Sequence, residues 1–172
     1  MKVRALCLSF ATVLLSSSFV PAQTTAPSER AIPASTISDV VKAIGTEGAL
    51  KNDVYTIVIP RTDLDLYNEN GTIPIAAGIE SAFHFYKCPC GMMNVVGQFV
   101  VAEYESNDVI DALRKDMAIK IASVAPMLQE EKPRLLVIRF QGEGEALALA
   151  RSLKSALDRT GEARMKTREA KD

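Results

Sequence analysis

The chain has 172 residues, 48% hydrophobic and 24% charged, with a formal net charge of −1. That balance excludes a disordered or collagen-like chain and gives no electrostatic footing for nucleic-acid binding. There is one His, so any site that needs two histidines from one chain is excluded as well.

Lys2 and Arg4 form a short basic start, an apolar run covers residues 5–15, and small residues lead to Val20-Pro21-Ala22. This order reads as a secretory signal peptide over residues 1–22, cleaved after Ala22. The run is about 11 residues, too short to span a bilayer, which takes about 20. The expected product is a periplasmic or secreted chain with no transmembrane segment. It would keep 172 − 22 = 150 residues and carry 18 basic against 21 acidic groups, or −3. Cys7 leaves with the leader, so Cys88 and Cys90 would work where thiols tend to oxidise.

Residues 23–35 are rich in Thr, Ala, Pro and Ser and read as a flexible linker. A single α+β domain is expected over residues 36–161, followed by a charged tail over 162–172. Thr36-Ile37-Ser38-Asp39 has the form of a capping box. Ile37, Val40, Val41 and Ile44 then share a helical face, with Gly45 as a left-handed stop. Residues 54–59 are β-branched and aromatic, a buried strand ended by Pro60. Alternation over residues 63–67, then Asn70-Gly71 and a return arm holding Pro74, predicts an edge hairpin. Residues 81–87 alternate as a half-buried strand, and residues 94–103 form a longer one.

Ser106 is placed to cap a helix bearing Val109, Ile110, Leu113 and Met117. Strands follow over residues 118–124 and 134–140. A helix over residues 143–159, preceded by a glycine-rich lead-in from Gln141, ends at Gly161. The order predicts an α+β fold: a mostly antiparallel sheet with helices on one face, its second half a ferredoxin-like βαββα unit.

One cluster stands out. His84-Phe85-Tyr86-Lys87-Cys88-Pro89-Cys90-Gly91-Met92-Met93 holds the one His and both retained cysteines. In an extended strand His84 and Cys88 are about 13 Å apart, and the Pro89 turn is the feature that could close the gap. Three readings compete. Thiolate and thioether ligands select Cu(I), with Cys88 and Cys90 as the metal pair and Met92, His84 or Met127 as helpers. A Cys-x-Cys redox pair is the second, with Lys87 favouring the thiolate. The third is a structural disulfide or buried thiols in a tight turn. Arg61 and Asp63, just after Pro60, form either a charge pair that fixes the loop or a ligand-binding pair, with structure favoured. Arg139 in an apolar strand needs a solvent face or a carboxylate partner. No phosphate loop, nucleophile elbow or Ser–His–Asp triad is present.

Residues 54–156 resemble the LppY/LpqO family of exported bacterial proteins built on a domain of unknown function. The resemblance is carried by Val54-Tyr55 leading into Ile59-Pro60-Arg61-Thr62-Asp63-Leu64, the apolar strand through Gly97, Pro133-Arg134 before a strand, and the final helix. It implies an exported α+β domain with no established activity. The family's His-Asn-His motif falls where this chain has Ala125-Pro126-Met127, and its following histidines fall at Arg139 and Glu143. A histidine site in relatives is thus missing here, and the Cys-Pro-Cys-Gly-Met-Met stretch looks particular to this branch. The leading expectation is a non-catalytic soft-metal module binding Cu(I). The alternatives are a thiol–disulfide redox protein and a ligand-binding or scaffold domain with structural cysteines.

Overall fold

The computed structural model describes residues 30–115 and 117–161; the predicted leader, most of the predicted linker and the charged tail lie outside them. The elements run α1 (Ala34–Ile44), β1 (Ala49–Lys51), β2 (Val54–Pro60), β3 (Tyr67–Asn68), β4 (Gly71–Thr72), β5 (Glu80–Lys87), β6 (Met93–Ala102), α2 (Ser106–Arg114), β7 (Ile119–Pro126), β8 (Leu135–Gly144) and α3 (Ala146–Leu157). Six strands form one sheet in the order β1-β2-β5-β6-β8-β7, and every neighbouring pair is antiparallel. This is the α+β architecture expected from the sequence. Strands β6 and β7 both run antiparallel to β8, which lies between them, so they are parallel to each other and joined through α2. That split β-α-β arrangement is the ferredoxin-like feature of the second half, with β5 occupying the place on the far side of β6.

Alternation along the strands divides the sheet into two faces. Tyr55, Ile57, Phe83, Phe85, Val95, Phe99, Ile138 and Phe140 pack against Val40 and Ile44 of α1, Val109 and Leu113 of α2, and Leu149 and Leu153 of α3. At the centre, the Phe83, Phe99 and Phe140 rings lie with centroids 4.9–5.8 Å apart. Gly97 makes this possible. A Cβ there would run into the Ala82 carbonyl and come within 2.9 Å of the Phe140 ring. The other face is half covered. Leu64, Leu66 and Ile79 from the β2–β5 connection close over Val100, Ala102 and Leu135 as a second, smaller core. Nearer the β5–β6 turn that face is left open. It presents the cross-strand rows Thr56–His84–Val96–Gln141 and Val54–Tyr86–Asn94–Glu143.

Several boundaries differ from expectation for local reasons. Helix α1 begins at Ala34 behind Pro33, with no side-chain cap, so the Thr36 capping box does not form. Ile32 is buried, and the end of the predicted linker is therefore part of the fold. Helix α2 stops at Arg114, which leaves Met117 outside it and 93% exposed. Ser106 donates its hydroxyl to the Glu103 carbonyl at 2.7 Å instead of capping the helix. The hairpin around Asn70-Gly71 forms but is only two residues deep on each arm. Strand β1, absent from the sequence reading, is a three-residue edge strand joined to β2 through Asn52 and Asp53, both at positive φ, as a tight hairpin demands. Strand β8 runs on to Gly144 because β6 and β7 continue to pair with it. The last helix therefore starts at Ala146, not residue 143, and its first turn is capped by Glu145 accepting from the Leu147 and Ala148 N–H groups. It ends at Leu157, before Gly161.

Replacing Gly97 by Val forces a branched side chain into the Phe140 contact. The expected cost is about 3 kcal/mol, read as a lower urea midpoint with an unchanged m-value.

Candidate functional site

The β5–β6 hairpin turns on Cys88-Pro89-Cys90-Gly91. The Gly91 N–H donates to the Cys88 carbonyl at 3.0 Å, and the Cys88 N–H donates to the Met92 carbonyl at 2.9 Å. Proline at the second position of such a turn presets its φ, and Gly91 takes a φ of +89°, which returns the chain into β6. This geometry brings the Cys88 and Cys90 Cα atoms to 5.2 Å, and the two are joined as a disulfide. The Cys90 N–H also donates to Cys88 Sγ at 3.1 Å. Cys88 is half-buried and Cys90 exposed.

The remaining helpers expected for a metal do not converge on this turn. Strand β5 stays extended to Lys87, so His84 is left four positions from Cys88, about 13 Å at about 3.3 Å per residue. Its Nδ1 instead shares a hydrogen bond with Thr56 Oγ1 on β2, at 3.0 Å. Met127 donates its N–H to the Leu135 carbonyl and packs into the smaller core. Leu135 lies nine positions along β8 (144 − 135) from Gly144, the partner of Met93, so Met127 is about 30 Å from the turn. Met92 is exposed directly across the hairpin from Cys88, while Met93 is buried. Among the described residues no group of three or more His, Cys, Asp or Glu side chains could hold a metal ion.

Arg61 and Asp63 form the ion pair the sequence suggested, but as part of a larger node. Arg61 is 3% exposed and Glu105 1%. Arg61 Nε and Nη2 donate to the two Asp63 oxygens at 2.9 and 2.8 Å. Nη1 and Nη2 donate to Glu105 Oε2 and Oε1 at 2.9 and 3.0 Å, and Nη1 also donates to the Val100 carbonyl at 2.6 Å. All five guanidinium N–H groups are thereby used. Glu105 further accepts the Ala102 N–H at 2.8 Å and the Gly161 N–H at 2.7 Å. The node ties the end of β2, the end of β6 and the chain beyond α3 to one another, and it leaves the guanidinium no donor for a ligand. Burial opposes the Arg61 charge, but Asp63 and Glu105 more than offset this and raise its pKa. For Asp63, burial pushes the carboxyl up, and the hydrogen bonds and charge of Arg61 outweigh it and hold it below its ordinary value. Sequence reading missed Glu105, since the acidic residue lies 44 positions from its partner and only the fold joins them.

The open rows of the sheet border two hollows. One, of about 490 Å³, lies against Cys88, Cys90, Lys87 and Asp53; the other, of about 330 Å³, lies against Met92, Val96, Lys120 and Gln141. Tyr86, Asn94 and Glu143 line both. Arg139 faces solvent on this side, in register with Gln98 and Ser123.

Fold and site thus define a small α+β domain with a half-open antiparallel sheet and a disulfide at one hairpin end. A family model described as Domain of Unknown Function (DUF1259) matches residues 38–159, and the chain belongs to that family. No curated protein and no solved structure matches it.

Because the Asp63 pKa is lowered in the folded state, its contribution to stability is full above the unfolded value, near pH 4. It is lost as pH falls through the folded value. Asp63→Asn is expected to lower stability by about 1 kcal/mol at pH 7. The difference from the parent protein should shrink as pH falls below about 4, as measured by urea midpoints at descending pH.

Proposed function

We propose that this domain is an exported thiol–disulfide redox module in which Cys88 and Cys90 are the working pair, and that within its family it stands with the LppY/LpqO-type exported proteins. The observation that carries this reading is the position of the disulfide. It sits at the exposed end of a hairpin, outside both hydrophobic cores, and closes a loop with one residue between the cysteines. A bond placed there adds little to a core it does not touch. Exposed disulfides are the labile and regulatory ones, whereas structural disulfides resist reduction. The disulfide also suits an oxidising compartment, which agrees with the basic-apolar-small order of residues 1–22.

Cu(I) binding by the reduced pair is the second reading. It is favoured by the exposed Met92 thioether across the hairpin from Cys88, because thiolate and thioether ligands suit that ion. His84 and Met127 have no part in it.

The test is equilibration of the protein in thiol–disulfide buffers of graded potential, followed by alkylation and peptide mass mapping, which reads Cys7 separately. The pair is expected to be half reduced between about −200 and −120 mV. A pair still oxidised below about −300 mV is a structural disulfide and contradicts the proposal.

A further inference from the structure

The two sulfurs of the hairpin are not equivalent. Cys90 is exposed and Cys88 half-buried. The Cys90 N–H points at Cys88 Sγ at 3.1 Å, a hydrogen bond that favours negative charge on the sulfur accepting it. Lys87 precedes Cys88 and shares a hollow with both cysteines. That hollow, about 490 Å³, is within the size range of small-molecule sites. It is bordered by two cationic side chains, Arg30 and Lys87, and by two carboxylates, Asp53 and Glu143.

Resting on the redox reading above, we infer that Cys90 Sγ is the atom an incoming thiol attacks, that Cys88 Sγ is the leaving sulfur, and that the hollow receives a small thiol bearing charged groups of both signs. The thiolate bonds to Cys90 Sγ as the Cys88–Cys90 bond breaks, and the electron pair of that bond passes to Cys88 Sγ. The Cys90 N–H and Lys87 stabilise the charge that appears there. A second molecule of the same thiol attacks the outer sulfur of the mixed disulfide and frees Cys90. Two thiols are oxidised to one disulfide, and the protein disulfide is reduced to two thiols, each taking up a proton. In-line exchange requires the attacked sulfur to be open to solvent and the leaving sulfur to carry charge well. Cys90 meets the first requirement and Cys88 the second.

The probe is glutathione. Oxidised full-length protein is mixed with it, quenched in acid, alkylated and sequenced by fragmentation between residues 88 and 90. Glutathione is expected on Cys90 and the alkylating agent on Cys88, by at least about tenfold. Labelling shared evenly, or found on Cys88, overturns the assignment while leaving the redox reading intact. Absence of any exchange overturns both. Lys87→Ser tests the hollow: it should slow exchange with glutathione at least threefold more than exchange with uncharged 2-mercaptoethanol. An equal effect on both thiols overturns the proposed recognition of charge but not the roles of the two sulfurs.

Discussion

A guanidinium buried at the end of β2 must find compensating charge and an acceptor for each of its five N–H groups, or its desolvation goes unrepaid. Arg61 meets that demand by drawing on three separate parts of the chain. Asp63 comes from its own loop, the Val100 carbonyl from β6, and Glu105 from the turn before α2. Glu105 reaches in turn to the Gly161 N–H beyond α3. The sheet end, the cover of the smaller core and the close of the last helix therefore meet at one saturated cluster. A pair of this kind adds less to net stability than its contacts suggest, since both charges leave water. It does fix which segments must lie together. Alternative packings of the β2–β5 connection would strand a charge.

This arrangement also sorts the candidate sites. In the stretch from Pro60 to Leu64, Arg61 has no donor left over for a ligand. The opposite end of the sheet is the part that the smaller core leaves uncovered. There the hairpin disulfide borders one hollow, which shares Tyr86, Asn94 and Glu143 with the hollow beside it. The separation is physical: the node joins three segments at one end of the sheet, and the disulfide lies at the other, outside both cores.

Periodicity made the helices, the long strands and the antiparallel α+β class legible, because alternating burial is written directly into residues such as Phe83, Phe85, Val95 and Phe99. The shortest elements were not legible. Strand β1 is three exposed residues with no apolar pattern, and its existence depends on the Asn52-Asp53 turn. The extension of β8 through Gln141 to Gly144 was hidden by composition that resembles a loop; partners on both sides impose it. At the site, the cysteine turn could be read from Pro89 and Gly91. The pairing of Arg61 with Glu105, and the distance from Met127 to the cysteines, depended on topology and could not.

The most direct test is a double-mutant cycle on the buried pair, with Arg61→Met, Glu105→Met and the double variant compared by urea denaturation at pH 7. Arg61→Met strands the buried Glu105 carboxylate, and Glu105→Met leaves the guanidinium with Asp63 as its remaining counter-charge and takes the acceptor from the Ala102 and Gly161 N–H groups; each should cost about 3–5 kcal/mol. The double change removes both charges and should cost at least about 2 kcal/mol less than the sum. Costs that add to within about 0.5 kcal/mol would mean that Arg61 and Glu105 act independently and that the node does not organise the fold.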